Sequence, residues 1–182
     1  EQIKSTMLKG TRQYCQLTDF SDVMLSYCSA YPEYNGMTVA EVASLRNADP
    51  FDTYLDILAD CKYACNAVFF AMDEEDMCRI FMHERTMIGT DGLVHSLTGP
   101  THPRGFGTFP RAINHFVREK KLVSLEKAIY KMTGLTAQWY KIKNKGFIRD
   151  GYDADLVIFD PDTIAEGNSF AESTKTAIGI SH

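Results

Sequence analysis

Asp91 stands in the run MIGTDG (87–92), and a lone carboxylate between Thr90 and Gly92 can take a proton, ligate a metal or cap a turn. Met87 and Ile88 predict a short strand, which would place Asp91 at a strand's C-terminal end, where α/β proteins carry catalytic groups. A glycine on each side of it, Gly89 and Gly92, points to backbone that turns sharply or is closely approached. Downstream, the chain to Pro110 is rich in Gly and Pro, has no helical periodicity and carries His95, His102 and Arg104, with Arg111 just beyond. This composition predicts an ordered loop that brings cations to the carboxylate. Arg104 offers a planar fork for a second carboxylate, its plainer reading being a surface arginine. Gly105, Gly107 and Pro110 resemble a phosphate cradle only loosely, because the Lys–Ser/Thr pair of a P-loop is missing.

The elements that must position these groups follow from period and punctuation. Val23–Cys28 reads as a strand; Thr38 and Glu41 form a capping box before a short helix, and a second helix runs from Pro50 to about Ala64. Ala67–Met72 is a continuous apolar run, the mark of a strand buried on both faces, and a helix opens at Asp73 with carboxylates in its first turn. Strand, helix, strand in this order predicts a parallel sheet. Beyond the loop, a helix spans Arg111–Glu119, entered through Pro110; Ser124 caps another that Gly134 ends, and a short one lies near Ala137–Tyr140. From about Asn144 the pattern becomes β-rich, with a turn at Asp150 and Gly151 and a strand at Leu156–Phe159. Residues 1–143 and 144–182 are therefore the two expected domains, and the first nineteen residues take no assignment.

The bulk properties exclude several classes. At 182 residues, 45% hydrophobic and 24% charged, the chain has the makeup of a globular protein with one or two domains. A formal charge of −5 leaves no basic footprint for nucleic acid. Five cysteines without a CxxC pair read as reduced thiols, with Cys61 and Cys65 in the core, and point to a cytoplasmic protein. No eighteen-residue apolar stretch and no signal layout are present, so a membrane partner is not expected. The acidic cluster Asp73–Asp76 reads as a solvated helix start, and an opening Glu1 rather than Met leads us to expect an excised piece or a processed product.

Taken together, MIGTDG, HPRGFGTFPR, LEKAIYKMTGLTAQWY and GFIRDGYDADLVIFDP resemble the C-terminal part of the amidohydrolase superfamily, most closely the N-acyl-D-amino-acid deacylases (D-aminoacylases). YPEYNGMTVAEVA and AVFFAMDEEDM upstream are also similar, so the resemblance covers nearly the whole chain. It implies the last part of a metal-dependent (β/α)8 barrel joined to part of a small β-sandwich, hydrolysing an acyl-amide bond with zinc-activated water. It further implies Asp91 as metal contact and proton shuttle, Arg104 and His102 as substrate contacts, and Phe69 and Met72 as lining of the side-chain pocket. Relatives often carry Tyr where this chain has Phe69, and the family's HxH zinc ligands have no counterpart here. The chain alone is accordingly expected to be inactive, with zinc and an N-acyl-D-amino acid as cofactor and substrate of the complete enzyme. Two other readings compete: a cyclic-amide hydrolase of the hydantoinase or dihydroorotase kind, and a non-catalytic half-barrel that associates with itself through exposed sheet edges.

Overall fold

Val23, Met24 and Leu25 open strand β1 (Val23–Cys28) as an apolar run, and in the computed structural model all three are buried. The structure describes residues 2, 4–6, 9, 19–93 and 101–180, so His95 and Cys15 lie outside it. The chain divides into two units, Glu1–Asp73 with His95–His102, and Glu74–Val94 with Pro103–His182.

In the first unit β1 leads through a single 3-10 turn at Pro32–Tyr34 to helices α1 (Val39–Arg46) and α2 (Pro50–Asp60), then to strand β2 (Cys65–Phe69). The expected capping box is present: the Thr38 hydroxyl accepts from the Glu41 N–H, and the Glu41 carboxylate accepts from the Thr38 N–H at 2.7 Å. Asp49 caps α2 in the same way, accepting from the N–H groups of Phe51 and Asp52 with Pro50 in the first turn. Val39, Val42 and Ile57 on the two helices pack against Val23, Leu25 and Cys28 of β1 to form the core of this unit.

The strands pair antiparallel, with Val23 opposite Phe69 and Cys28 opposite Cys65, which corrects the parallel sheet predicted from the alternation. The reason is the connection: two consecutive helices reverse the chain once more than the single helix of a βαβ unit. The expectation of a strand buried on both faces also fails. The strand ends at Phe69, and only Val68 in it is fully buried; Phe69 is half exposed, because a two-stranded sheet packed on one side leaves its other face open.

The second unit is organised by one long helical run. Helix α3 (Glu74–Met82) packs Cys78 and Phe81 against Ala112 and Phe116, the Phe81 and Phe116 rings stacked with centroids 4.4 Å apart. Helix α4 spans Arg104–Arg111 and continues as a π-helical stretch over Ala112–Glu119. The predicted loop to Pro110 is thus helical from Arg104, with Pro110 inside the helix rather than at its entry. Proline lacks the N–H and crowds the preceding turn, and the run beyond it widens to five-residue bonds, as in Lys120 N–H to the His115 carbonyl.

What holds this glycine-rich segment helical is distant in sequence. A Cβ on Gly107 would lie 2.5 Å from Asn168 Oδ1 and 2.8 Å from Glu166 Cβ, so only glycine admits the 166–168 segment at this distance. The Asn168 amide donates to the Pro103 carbonyl at 2.9 Å, while Arg111 and Asn114 both donate to Glu166. Arg118, one turn on, donates to the carbonyls of Pro161 and Ile164. Helices α5 (Leu125–Met132) and α6 (Gly134–Trp139) follow, the first capped by Ser124 as expected. Gly134 opens α6 rather than merely ending α5, and its Cβ would strike the Phe147 ring at 2.6 Å. Among the described residues Leu156–Phe159 forms no strand: Leu156, Val157 and Ile158 lie exposed, Phe159 makes an isolated bridge to Ile180, and a second isolated bridge, Ala165–Ile178, follows. Apolar strand sequence without neighbouring strands has nothing to pair with.

Lys131 on α5 is 1% exposed. Its ammonium donates to the carbonyls of His83 and Thr86, just past α3, and burial holds its pKa below the ordinary lysine value. Removing it strands the Thr86 carbonyl, at a cost of about 1–3 kcal/mol, and leaves that of His83 with the Thr86 N–H as its backbone donor. Lys131→Met, which keeps the stem's volume, should therefore lower the urea midpoint of unfolding markedly, whereas a surface change such as Lys127→Met should not.

Glu166 is one of the carboxylates that make this unit pH-dependent. Burial would raise its pKa, but hydrogen bonds from its own backbone and from Asn114 and Arg111 outweigh that and bring it below the ordinary carboxylate value. A carboxylate with a depressed folded pKa contributes stability above its unfolded pKa and loses it as pH falls through the folded one. On acidification from neutral to about pH 3, Glu166→Gln should lose less stability than the wild type. Parallel losses in denaturant titrations at both pH values would contradict the assignment.

Candidate functional site

The stretch after α3 is delivered to its place by backbone contacts. Beyond the carbonyls held by Lys131, the Ile88 N–H donates to the carbonyl of Lys131 itself at 3.4 Å, so 83–88 is fastened to α5 from both sides. Among the described residues, 87–89 pair with no strand, which corrects the strand predicted there. At Thr90 the hydroxyl accepts from the Gly92 N–H at 3.3 Å, closing a small turn, and Asp91 adopts a left-handed φ of 44°. Asp tolerates that conformation better than most residues.

Gly92 explains the sequence around the carboxylate. A Cβ there would sit 2.8 Å from the Gly105 Cα, so two glycines allow the turn to touch the first turn of α4. This contact carries Arg104 to Asp91: an Nη2 of the guanidinium lies 2.9 Å from the Asp91 carboxylate. The Arg104 carbonyl in turn accepts from the Thr108 hydroxyl at 2.8 Å. The expected meeting of carboxylate and cation is therefore present, through a helix instead of a loop.

The setting differs from the one predicted. The Asp91 side chain is 88% exposed and that of Arg104 42%, where a carboxylate at a buried strand end was expected. An ion pair this open contributes little to stability. The built part is the backbone beneath it: Lys131, Gly92 against Gly105, and Asn168 on the Pro103 carbonyl. The other predicted contacts belong to the first unit. Phe69 ends β2 half exposed, Met72 follows it at 74% exposure, and His102 is half buried.

Lys131 was not anticipated, because a lysine in LEKAIYKM reads as solvated. The available signal was its spacing: it lies three residues after Ala128, which is completely buried, and so shares a helix face with it. Glu166 and Asn168 carried no local signal at all.

A second limit concerns metals. Among the described residues no group of three or more His, Cys, Asp and Glu side chains is arranged to hold a metal ion. Asp91 offers one carboxylate, and it is paired with the Arg104 cation. Also among the described residues, no helix is long and apolar enough to cross a membrane.

Comparison with known proteins accounts for this arrangement. The chain is 39% identical over 176 residues to a D-aminoacylase of Alcaligenes xylosoxydans xylosoxydans, covering 97% of this chain and 34% of that protein. A crystal structure of D-aminoacylase matches with a TM-score of 0.74 and 40% identity, over 87% of this chain and 32% of the other. That of the N-acyl-D-glutamate deacylase of Bordetella bronchiseptica, complexed with zinc and a phosphonate inhibitor, matches with a TM-score of 0.78 and 33% identity, over 93% and 34%. The chain thus spans about a third of the length of the relatives it matches. Residues 83–174, which include Asp91, Arg104 and the helical run that supports them, match the model described as Amidohydrolase family, and the chain belongs to the amidohydrolase superfamily, in its D-aminoacylase and N-acyl-D-amino-acid deacylase family.

Proposed function

We propose that this chain is the C-terminal part of an amidohydrolase barrel (1–143) with part of a small β-sandwich (144–182), and that the longer protein hydrolyses the amide bond of N-acyl-D-amino acids. The observation that carries the reading is the Asp91–Arg104 pair, set on a backbone built by remote contacts although the pair itself stabilises little. Similarity to deacylases of N-acyl-D-amino acids, D-aspartate and D-glutamate substrates supports the substrate class and favours it over cyclic amides.

In this reading Asp91 accepts the proton of the water that attacks the amide carbonyl and passes it to the leaving nitrogen. The carboxylate is short, is set in a turn closed by the Gly92 N–H on the Thr90 hydroxyl, and pairs with the Arg104 guanidinium, which stays protonated. Arg104 orients the free carboxylate of the substrate. A guanidinium has five N–H donors and serves more than one carboxylate, so its bond to Asp91 is compatible with this role. His102, two positions earlier in sequence, is assigned to the substrate's carboxylate, and Phe69 and Met72 to its side chain.

A catalytic zinc takes about three protein ligands. The described residues do not make such a site, and zinc is assigned to the longer protein, where one relative of this family holds it. The steps given to Asp91 and Arg104 are those of their own side chains. The chain by itself is expected to be inactive.

In the longer protein, Asp91→Asn keeps shape and removes the base. We expect kcat on an N-acetyl-D-amino acid to fall by roughly 10²-fold or more, the scale of a lost general base, with the circular dichroism spectrum unchanged. Arg104→Lys should mainly raise KM, because a point charge cannot reproduce the fork. Near-normal turnover in the Asn variant would overturn the role of Asp91, and an unchanged KM for both a free-carboxylate substrate and its amide analogue would overturn that of Arg104.

A further inference from the structure

Three thiols scattered in sequence come together in the first unit. Cys28 ends β1 and Cys65 opens β2, where the two are cross-strand partners; Cys61 follows α2 as its C-terminal cap. The sulfurs of Cys28 and Cys61 lie 3.3 Å apart. Cys28 is 0% and Cys61 3% exposed, while Cys65 is half buried. All three are free thiols, and neither Asp91 nor Arg104 involves them.

The two close sulfurs have unlike surroundings. Burial would raise the Cys61 thiol, but the N–H groups of Ala30 and Ser29, the Ser29 hydroxyl and the Cys28 thiol all face its sulfur and bring its pKa below the ordinary thiol value. Burial and the hydrogen bond with Cys61 push Cys28 up to about 11. Cys28 thus keeps its proton and shares it with Cys61, which is the sulfur better able to carry negative charge. A disulfide needs sulfurs about 2 Å apart, so bond formation asks for a closure of roughly 1 Å between groups already facing each other.

We propose that Cys28 and Cys61 form a dithiol that hydrogen peroxide oxidises to a disulfide, joining the end of β1 to the end of α2. The Cys61 thiolate attacks one peroxide oxygen; the O–O bond breaks, the departing oxygen takes a proton and leaves as water, and Cys61 becomes a sulfenic acid. The Cys28 sulfur then attacks the Cys61 sulfur. The S–S bond forms, the S–O bond breaks, and the oxygen leaves as a second water with the Cys28 proton. Two thiols lose two electrons and one peroxide gains them. Because both sulfurs are buried, the oxidant must be small, which is why hydrogen peroxide is the reagent of choice.

The test is differential alkylation of the folded full chain after hydrogen peroxide, quenched with acid and mapped by peptide mass spectrometry. Cys28 and Cys61 should lose their reactivity together, appear as one linked peptide pair, and regain reactivity on reduction. In Cys28→Ser, dimedone should trap the sulfenic acid on Cys61; in Cys61→Ser, Cys28 should stay alkylatable. The linked pair should be absent, or no more abundant than any other pairing, when the chain is unfolded in urea before oxidation. Cys28 and Cys61 that remain as alkylatable as in the untreated chain, or a Cys61–Cys65 link in place of the proposed one, would overturn the assignment. The wild-type mapping decides the matter even if a serine variant fails to fold.

Discussion

The buried ammonium of Lys131 is the interaction on which the candidate site depends. A charge enclosed to this degree is costly unless its donors are satisfied, and here the carbonyls of His83 and Thr86 satisfy them. Those carbonyls belong to chain leaving α3, where the helical ladder has ended and that of His83 otherwise accepts from the Thr86 N–H at 3.1 Å. One side chain therefore settles two demands and fixes where the segment toward Asp91 begins. The Ile88 N–H bonded to the Lys131 carbonyl extends the same attachment by a further step.

From that anchor the remaining geometry follows through close backbone approaches. Gly92 against Gly105 sets the turn on the first turn of α4, and Gly107 against 166–168 sets α4 on the far end of the chain. Residues 111, 114 and 118 recur on one face of the helical run and hold the segment from Pro161 to Glu166. An exposed ion pair over so constrained a backbone is more economically explained by chemistry than by stability, since open pairs contribute little. The match to an amidohydrolase model over 83–174 covers this same assembly.

What could be read from the sequence was local. The Thr38–Glu41 box, the Ser124 cap and strand β1 depend on neighbouring residues, and each appears where expected. The direction of β2 depends on how two helices between the strands reverse the chain, which apolar periodicity does not encode. Gly105, Gly107 and Pro110 punctuate like a loop, and the contacts that make them helical come from residues some sixty positions away. For the site, the residue types at 91 and 104 announced a carboxylate and a cation, and Gly92 announced close approach, whereas a Cβ on Gly89 would meet nothing within 4 Å. The exposure of Asp91 was hidden, because burial of a strand end depends on the strands around it. Lys131 was hidden for the opposite reason, a charged residue whose partners are backbone carbonyls nearly fifty residues upstream.

The central claim, that this chain serves in the hydrolysis of N-acyl-D-amino acids, is tested most directly by stereochemistry. Release of free amino acid from the N-acetyl-D and N-acetyl-L forms of one amino acid should be followed with the longer protein that contains this chain. The account predicts turnover of the D form with the L form left intact. Turnover of the L form alone, or of a cyclic amide with neither acetyl derivative touched, would contradict it.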